Sequence, residues 1–501
     1  MKPTRILGVS AALFAVLLAG TGAAASLSLS QGTGVGGCYD PVAFGAVPDD
    51  ANFDRVPIQA AIDAATSAGG GTVCLGSGRW TLNRAPAGSY NRFAALSTHS
   101  AHLTIRGTGP GTVLDLVGDQ AASATFVLSF DPGANDIVVE SLTIDTSAAT
   151  NTDEQTHAIE IGSGVCTDTN GTCSMPISDV TVRDVRFVHP PLPGFRKGDC
   201  VRLVGNTEAT QVLRATIMGS SFINCARSGI AVQRNVNSLA VLGNHFDGVI
   251  GDTAFDGEAT GGGWDDGLRL IGNSFAHGPT TFSATLTSQR HATITGNNFS
   301  GRGLSLYRTQ DVVVADNTFD VTAVSEEGVV NTGNVASGVK IDNNVIRRHG
   351  APGSGIRIMP HSGGIPQQIT VSNNTIIVEG DSNGIAAEGV HHIGIRDNDI
   401  TFVDPAPNGH GVYLRATVAD MDGVMVTGNT ITGSTYFAAV RIAASPHPVL
   451  GVTVALNSSV GGVRSLQCEQ SVANNYPQPI VSLGNRWAVA PTCVATLQPG
   501  Q

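Results

Sequence analysis

A six-residue pattern that recurs along the chain restricts the fold more than any other feature of the sequence. The pattern is an apolar residue, any residue, a small or polar residue, Asn, any residue, and then Phe or Ile. Its copies are centred on Asn244, Asn273, Asn297, Asn317, Asn344, Asn374, Asn398 and Asn429, with weaker ones at Asn457 and Asn485. From Asn244 to Asn485 there are nine intervals in 241 residues, or about 27 residues each. A period of this size is typical of a solenoid.

The segments between the Asn residues predict short β-strands. Apolar residues alternate with period two, as at 239–242 and 292–295, whereas helical repeats would need a period of 3.6. A second apolar strand precedes each repeat and often begins with glycine, as at Gly229, Gly303 and Gly355. We therefore expect three strands per coil and about 13 coils, with the Asn in a left-handed bend and bonding to the Asn of neighbouring coils.

The N-terminal part predicts a cap for this solenoid. A helical stretch at 57–65 follows the segment 42–50 and precedes the glycine-rich strands at 69–74 and 78–82. Together with the Asn repeats, these motifs resemble the pectate-lyase-like superfamily of right-handed parallel β-helix proteins over roughly residues 38–487. The resemblance implies an all-β, right-handed parallel β-helix with an N-terminal capping helix. It also implies a carbohydrate-active function, because the superfamily includes polysaccharide lyases, glycoside hydrolases, epimerases and phage tailspikes.

The expected domain organisation follows from these segments. Residues 1–25 are predicted to be a secretory signal peptide, since Lys2 and Arg5 precede an apolar run and Ala23–Ala25 supplies a small-residue cleavage site. Residues 26–115 would form the cap and first coils, 116–490 the β-helix, and 491–501 a C-terminal tail. We expect a secreted protein, extracellular or periplasmic, without a membrane span.

The cysteines agree with export. There are eight, an even number, and all follow the predicted signal peptide. In an exported chain such a set is typical of disulfides. The sequential pairs are Cys38–Cys74, Cys166–Cys173, Cys200–Cys225 and Cys468–Cys493. Because Cys200 and Cys225 are about one coil apart, we expect them to lie on neighbouring coils.

The charge of the chain argues against nucleic acid as a partner. Lys and Arg number 28 against 40 Asp and Glu, for a net charge of −12, and no basic run occurs. Binding to phosphate backbones requires a basic face. A polysaccharide is therefore the expected partner.

Alternation along the glycine-started strands predicts which side chains point outward. Ile230 and Val232 should fill the interior, which leaves Gln233 outside, and the next coil should present Asp256 and Glu258. The predicted polar face carries, coil by coil, Glu160, Arg202, Gln233, Asp256 with Glu258, Thr285 with Thr287, and Ser305 with Tyr307. The C-terminal coils are expected to present a plainer face.

The acidic pair Asp256 and Glu258 is the predicted catalytic site. Residues at i and i+2 on one strand share a face, with Cα atoms about 6.6 Å apart. Glycoside hydrolysis needs two carboxyl groups, and crowding them raises the pKa of one, as a general acid requires. The residues expected to bind the sugar are Arg202, Arg227, Gln233, Trp264, Tyr307 and Arg308. This interpretation involves no metal and no cofactor.

Two alternatives remain open at this stage. A lyase acting on a uronic-acid polymer by β-elimination would use Arg227 or Arg290 as the base, with calcium held by aspartates. The candidate calcium ligands are Asp252, Asp256, Asp265 and Asp266. The other alternative is a non-catalytic protein, either a glycan-binding or tailspike-like β-helix protein or a purely structural surface rod.

Overall fold

The computed structural model is built almost entirely of parallel β-strands wound into a solenoid. It describes residues 37–86, 93–118, 125–150, 156–162, 175–189, 198–248, 251–258, 263–277, 282–323, 328–334, 336–350, 352–360, 364–444, 446–469 and 480–489. The predicted signal peptide, the pair Cys166–Cys173 and the predicted tail lie outside these residues. In the described part of the chain, no helix has the length and apolar character needed to span a membrane.

One strand from each coil contributes to a ladder of 14 strands in the described residues, which we name the first ladder. Its strands are Ala94–Thr98, Thr125–Phe130, Thr156–Ile161, Val201–Val204, Ile230–Gln233, Phe255–Glu258, Ala284–Thr287, Leu304–Tyr307, Gly328–Gly333, Ser354–Met359, Asn383–Glu388, Ala406–Ala416, Tyr436–Ala444 and Arg464–Glu469. All these neighbours pair in parallel, and the ladder includes the glycine-started strands of the sequence prediction.

Two further ladders complete each coil on either side of the Asn bend. The second ladder, before the bend, contains Cys38–Tyr39, Gly71–Cys74, Leu103–Arg106, Asn135–Asp145, Ile177–Val188, Thr216–Met218, Ala240–Leu242, Arg269–Ile271, Thr293–Thr295, Val313–Ala315, Lys340–Asp342, Gln367–Ser372, His391–Arg396, Met425–Thr427, Thr453–Ala455 and Val481–Leu483. The third ladder, after the bend, contains Gly78–Leu82, Thr112–Leu116, Ser221–Ile223, His245–Gly248, Ser274–His277, Asn298–Phe299, Thr318–Ala323, Val345–Gly350, Thr375–Val378, Asp399–Phe402, Thr430–Gly433 and Ser458–Val460. Asn135–Asp145 and Ile177–Val188 run through both. The prediction of three principal strands per coil is confirmed.

Short elements precede the second ladder or lie at the N-terminal end. Two-residue strands are present at Val212–Leu213, Val236–Asn237, Asp265–Asp266, Gln289–Arg290, Met421–Asp422 and Val449–Leu450. A 3-10 helix spans Pro41–Phe44. An α-helix spans Arg55–Ser67, where the sequence predicts one, and buries Ile58, Ala61, Ile62 and Ala65. It packs against the first strands of the solenoid, including Gly71–Cys74 and Ala94–Thr98.

The repeated Asn side chains form a continuous hydrogen-bonded column inside the solenoid. Each Nδ2 donates to the Oδ1 of the next Asn, from Asn244 to Asn485, at 2.8–3.1 Å. The same Oδ1 accepts the backbone N–H of the preceding Asn, as Asn374 Oδ1 does from Asn344 at 3.0 Å. The predicted bonding between stacked Asn residues is confirmed.

The left-handed residue of the bend is not the Asn, and that part of the prediction is wrong. Positive φ values belong to the residue immediately before each Asn, for example Gly243 at 60°, Asp316 at 57° and Leu456 at 58°. Glycine, Asp and Asn tolerate this region well, which explains why the position before the Asn is small or polar in every copy except that of Leu456. The Asn side chain instead turns inward and replaces the backbone pairing lost at the bend.

An aromatic column runs beside the Asn column. Phe187, Phe222, Phe246, Phe275, Phe299 and Phe319 stack face to face, with neighbouring ring centroids 4.5–4.9 Å apart. All six rings are fully buried. Repeating one aromatic residue at one position of each coil therefore fills the interior and reinforces the register.

Disulfides join neighbouring segments of the solenoid. Cys38 is bonded to Cys74, and Cys200 to Cys225 across adjacent coils. Cys468 is also disulfide-bonded, while its predicted partner Cys493 lies outside the described residues.

The Asn column provides a test of what holds the coils together. In Asn374→Ala, the side chain and backbone donors of Asn344 lose their buried acceptor, so the free energy of unfolding should fall by roughly 2–4 kcal/mol. Thr375→Ala is the matched control, because Thr375 is exposed on the same coil, and it should cost less than about 1 kcal/mol. Equal losses in chemical denaturation would contradict a stabilising role of the column.

Candidate active site on the first ladder

The register of the first ladder brings the predicted polar residues into two adjacent rows. Glu160, Arg202, Ala231, Asp256 and Thr285 are aligned in one row on consecutive coils. Gln233 is paired with Glu258 in the second row. Because every second residue points out of the coil, Asp256 and Glu258 lie side by side on the outer face, as the alternation predicts.

A chain of polar contacts crosses four coils and ends at Glu258. Arg202 donates to Glu160 at 3.1 Å and to the Oε1 of Gln233 at 2.7 Å. The amide nitrogen of Gln233 then donates to Glu258 at 2.8 Å. Since the Gln233 amide has one accepting and one donating end, Arg202 fixes its orientation and thereby the orientation of the Glu258 carboxylate.

Asp256 is the more protected member of the pair. Only 8% of the residue is exposed, and its side chain is in hydrogen-bonding contact with Glu258. Burial first, and then the negative charges of Glu258, Asp199 and Asp252, raise the pKa of Asp256 to about 8. The carboxyl pair therefore retains a proton to a higher pH than a lone carboxyl group does, as a general acid requires.

A buried ion pair lies behind the two carboxyl groups. Arg227 makes a two-pronged contact with Asp199, at 2.8 Å and 2.5 Å, and Asp199 is wholly buried. Burial alone would lower the pKa of Arg227, but its bonds to Asp199 outweigh this effect and hold the pKa well above its usual range. Arg227 is thus fixed as a cation near Asp256 and Glu258, and it is unsuited to act as a base.

His157 completes the buried group and was missed in the sequence analysis. Its Nδ1 lies 3.0 Å from the backbone nitrogen of Asp199 and 3.3 Å from the Asp199 carboxylate. Burial lowers the pKa of His157 to about 4. The alternation of His157, Ile159 and Ile161 in strand Thr156–Ile161 was the available signal, because it directs the imidazole toward the interior.

Trp264 lies beside the two rows with arginines against its ring. The guanidinium of Arg308 is 5.2 Å from the ring centroid and that of Arg290 is 5.6 Å away. Arg290 also lies 3.6 Å from Asp266. The sequence predicts that Trp264 and Arg308 each bind sugar, without indicating that they are in contact. In the structure they form one aromatic–cationic surface.

Tyr307 lies farther along the same face, two coils beyond Glu258. It lines an open cavity of about 370 Å³ together with Phe282, Asn331 and Met359. The predicted sugar-binding residues thus divide into four groups: Arg202 with Gln233 beside the acidic pair, Trp264 with Arg308 at its flank, Tyr307 down the ladder, and Arg227 in the buried ion pair with Asp199.

The four aspartates proposed as calcium ligands do not all face one point. Asp265 is buried and accepts hydrogen bonds from the Val236 backbone N–H and from Gln289. Asp266 contacts His291 at 2.7 Å. Among the described residues, no group of three or more His, Cys, Asp or Glu side chains has an arrangement suited to a metal ion.

The buried ion pair can be compared with an exposed pair of the same geometry. Asp199→Asn leaves the Arg227 cation buried without its partner, and we expect a loss of about 3–5 kcal/mol in the free energy of unfolding. Asp179→Asn removes a two-pronged pair with Arg214 whose side chains are 47% and 57% exposed, and it should cost less than about 1 kcal/mol. A small effect of Asp199→Asn in urea denaturation would show that the ion pair is not needed for stability.

Comparisons with known proteins agree with this architecture. Residues 163–376 match the family described as right-handed beta helix region. A segment is 37% identical over 125 residues to mannuronan C5-epimerase AlgE6 of Azotobacter vinelandii, and it covers 23% of this chain but only 13% of that protein.

Solved structures show the same fold at lower identity. The A-module of AlgE6 from Azotobacter vinelandii superposes with a TM-score of 0.52 at 16% identity, covering 90% of this chain and 100% of the module. The tailspike protein of E. coli bacteriophage HK620, solved with a pentasaccharide, gives 0.50 at 14% identity, covering 89% of this chain and 78% of that one. With the ladders described above, these matches identify the chain as a right-handed parallel β-helix protein, as its Asn repeats and N-terminal motifs predict.

Proposed function

We propose that this chain is an exported polysaccharide-active enzyme that cleaves glycosidic bonds, with Asp256 as general acid and Glu258 as general base. One observation carries the proposal: a carboxyl group that is only 8% exposed, with its pKa raised by burial, lies beside a second carboxyl group on an outward face. The names of the matched proteins support a carbohydrate ligand, since one is a mannuronan epimerase and another is a tailspike solved with a pentasaccharide. The predicted N-terminal signal peptide and the disulfides support export.

The proton on Asp256 is the first requirement of the reaction. Breaking a glycosidic bond requires a proton on the leaving oxygen, and a carboxylic acid with a pKa near 8 holds one under ordinary conditions. When that proton leaves, a second negative charge forms beside Glu258. Arg227, already held as a cation by Asp199, lies close enough to both carboxyl groups to reduce the cost of that charge.

Glu258 supplies the second function. Gln233 donates to Glu258 and positions its carboxylate to accept a proton from water. In the free protein the two carboxyl groups contact each other, so they are closer than the about 5–5.5 Å of retaining pairs or the about 6.5–9.5 Å of inverting pairs. In our proposal the glycosidic oxygen replaces Glu258 as the partner of Asp256, which frees Glu258 for the water.

The polar groups around the pair are suited to hold a sugar. Arg202 and Gln233 form one edge, and Trp264 with Arg308 forms the flank. A pyranose ring has apolar C–H faces and a rim of hydroxyl groups, and aromatic rings with neighbouring guanidinium groups match both. We assign these residues to substrate binding and Arg227 to stabilising the charge of the carboxyl pair.

A second candidate is chemistry at C5 of a uronic acid, as in a lyase or an epimerase. The observation that favours it is the 37% identity of one segment to a mannuronan C5-epimerase. Both a lyase and an epimerase must remove the C5 proton. In this alternative Arg290 rather than Arg227 is the candidate base, because the Arg290 side chain is 40% exposed whereas that of Arg227 is 10% exposed. Calcium with Asp252 and Asp256 remains part of this alternative.

Replacement of the two carboxyl groups tests the catalytic assignment. Asp256→Asn and Glu258→Gln keep the shape of each side chain but remove its proton-transfer group, so kcat should fall by on the order of 100-fold or more in each. Asp247→Asn, at an exposed carboxylate of the third ladder, is the control and should leave kcat unchanged. Full activity of both variants on the same polysaccharide would place the active site elsewhere.

The pKa of Asp256 predicts how the rate depends on pH. Because the acid must be protonated, kcat/KM should decrease as the pH rises through about 8. Glu258 raises this pKa by its charge, so the residual activity of Glu258→Gln should decrease at a lower pH than that of the unmodified enzyme. If the activity of Glu258→Gln decreases at the same pH as that of the unmodified enzyme, the group that titrates does not belong to the carboxyl pair.

The products distinguish the two candidate functions. Incubation with alginate, polygalacturonate, xylan and dextran should release new reducing ends without ultraviolet absorbance if hydrolysis is correct. Shortened chains that absorb through a new ring double bond would establish a lyase instead. A change in the C5 configuration of polymannuronate by proton NMR, without shortening, would establish an epimerase.

A further inference from the structure

The outer face of the first ladder continues as a groove beyond the carboxyl pair. The row of Asp256 runs through Thr285, Ser305, Asn331 and Arg357 on the following coils. The cavity of about 370 Å³ beside Tyr307 occupies this stretch, and Arg357 lies at its far end. The open space therefore extends toward the C-terminal coils, for which the sequence predicts a plainer face.

A second pocket begins on the other side of Arg357. Its volume is about 170 Å³, and Arg357, Ala386 and Tyr413 are among its lining residues. These three residues occupy the same row on consecutive coils. Because alanine stands between two long side chains, the row has a depression at Ala386, with Arg357 forming one wall and Tyr413 the other.

The rim of the pocket offers both donors and acceptors. Glu388 accepts a hydrogen bond from Thr417 and lies 4.0 Å from Arg415, which is 46% exposed. On the other side, Asp381 accepts two hydrogen bonds from Asn408, at 3.0 Å and 2.8 Å. These bonds hold the carboxylates in place, and the mixture of charges on the rim favours a hydroxyl-rich ligand over a strongly charged one.

Tyr413 is held rigidly at the wall of the pocket. Its ring stacks on His410 with centroids 4.7 Å apart, and the guanidinium of Arg441 lies 5.1 Å from the same ring. Arg441 in turn donates to Glu469 at 2.7 Å. A wall fixed in this way loses little side-chain entropy when a ligand binds, which favours a binding role.

The separation from the carboxyl pair fits one polymer strand. Five coil steps separate Asp256 from Ala386, which is about 24 Å at the strand spacing of a β-sheet. A polysaccharide strand that follows the ladder over this distance would therefore reach both positions.

We propose that the pocket at Ala386 is a distal binding site for one pyranose unit of the polysaccharide that is cleaved at Asp256 and Glu258. This inference rests on the proposed function for the identity of the strand, but the pocket itself binds independently of catalysis. A distal site makes the protein selective for long polysaccharide chains, because only long chains reach from the carboxyl pair to the pocket at Ala386.

Filling the pocket tests the proposal by binding alone. In Asp256→Asn protein, we add Ala386→Trp, which occupies the depression, or Arg415→Ala, which removes a rim donor without adding bulk. Mobility is measured by affinity electrophoresis in gels containing alginate, polygalacturonate, xylan or dextran. The parent protein, which carries Asp256→Asn alone, should be retarded by at least one polymer. Ala386→Trp should weaken that binding about tenfold, and Arg415→Ala should weaken it less. Ala315→Trp, an equal enlargement on the second ladder, should bind like the parent.

The outcomes separate this inference from the proposed function. Retardation that is the same in the parent and both pocket variants overturns the distal site, as does a parent that no polymer retards. If Ala386→Trp reduces binding while the unmodified protein releases no product from the retarding polymer, the distal site stands and the protein is a glycan binder. In the active enzyme, Ala386→Trp should lower kcat/KM for the polymer about tenfold and leave that for a trisaccharide unchanged. An equal loss on both substrates would overturn the distal role.

Discussion

Hydrogen bonding between coils in exact parallel register is the constraint on which the rest of the structure depends. Each coil alone buries too little apolar surface to be stable, so stability arises where identical positions stack. The Asn column satisfies the backbone at every bend from Asn244 to Asn485, and the Phe column fills the interior beside it. Since a slip by one residue would turn each side chain to the opposite face, the same register that buries these residues also aligns the outward ones.

The sequence could predict the fold because these internal positions repeat. Period-two alternation was also sufficient to place Asp256 and Glu258 together on the outer face, with Gln233 one coil before. The burial of Asp256, the ion pair of Asp199 with Arg227 and the inward position of His157 were not predicted. They depend on side-chain packing between strands and loops whose lengths do not repeat, so no pattern in one coil carries over to another. The assignment of the left-handed bend to Asn failed for a different reason, since a turn and its stabilising side chain occupy neighbouring positions.

The pocket at Ala386, on the C-terminal coils, could not be predicted from the sequence for a similar reason. Ala386 is unremarkable in the sequence, and its importance comes only from Arg357 and Tyr413 on the adjacent coils. A depression in a ladder is a property of three consecutive coils, about 60 residues of chain, and not of any local motif. Binding sites formed by small residues are therefore harder to predict than those formed by charged ones.

The location of the carboxyl pair along the solenoid has a physical reason. The Asn column begins at Asn244, and the coil before it carries Ser220 at the equivalent bend, where the Ser220 N–H donates to Asn244 and its hydroxyl accepts from Val185. There the disulfide Cys200–Cys225 joins adjacent coils. Asp199 directly precedes Cys200 in the sequence, and Arg227 follows Cys225 by two positions. The covalent link holds the two halves of the buried ion pair at a fixed separation. The coils of Asp199 and Arg227 are thus joined by charged and covalent contacts, while the coil of Asp256 is joined to the one before it by Asn244 and Asn273. The ion pair places a fixed cation near the carboxyl pair, which neutral amides would not provide.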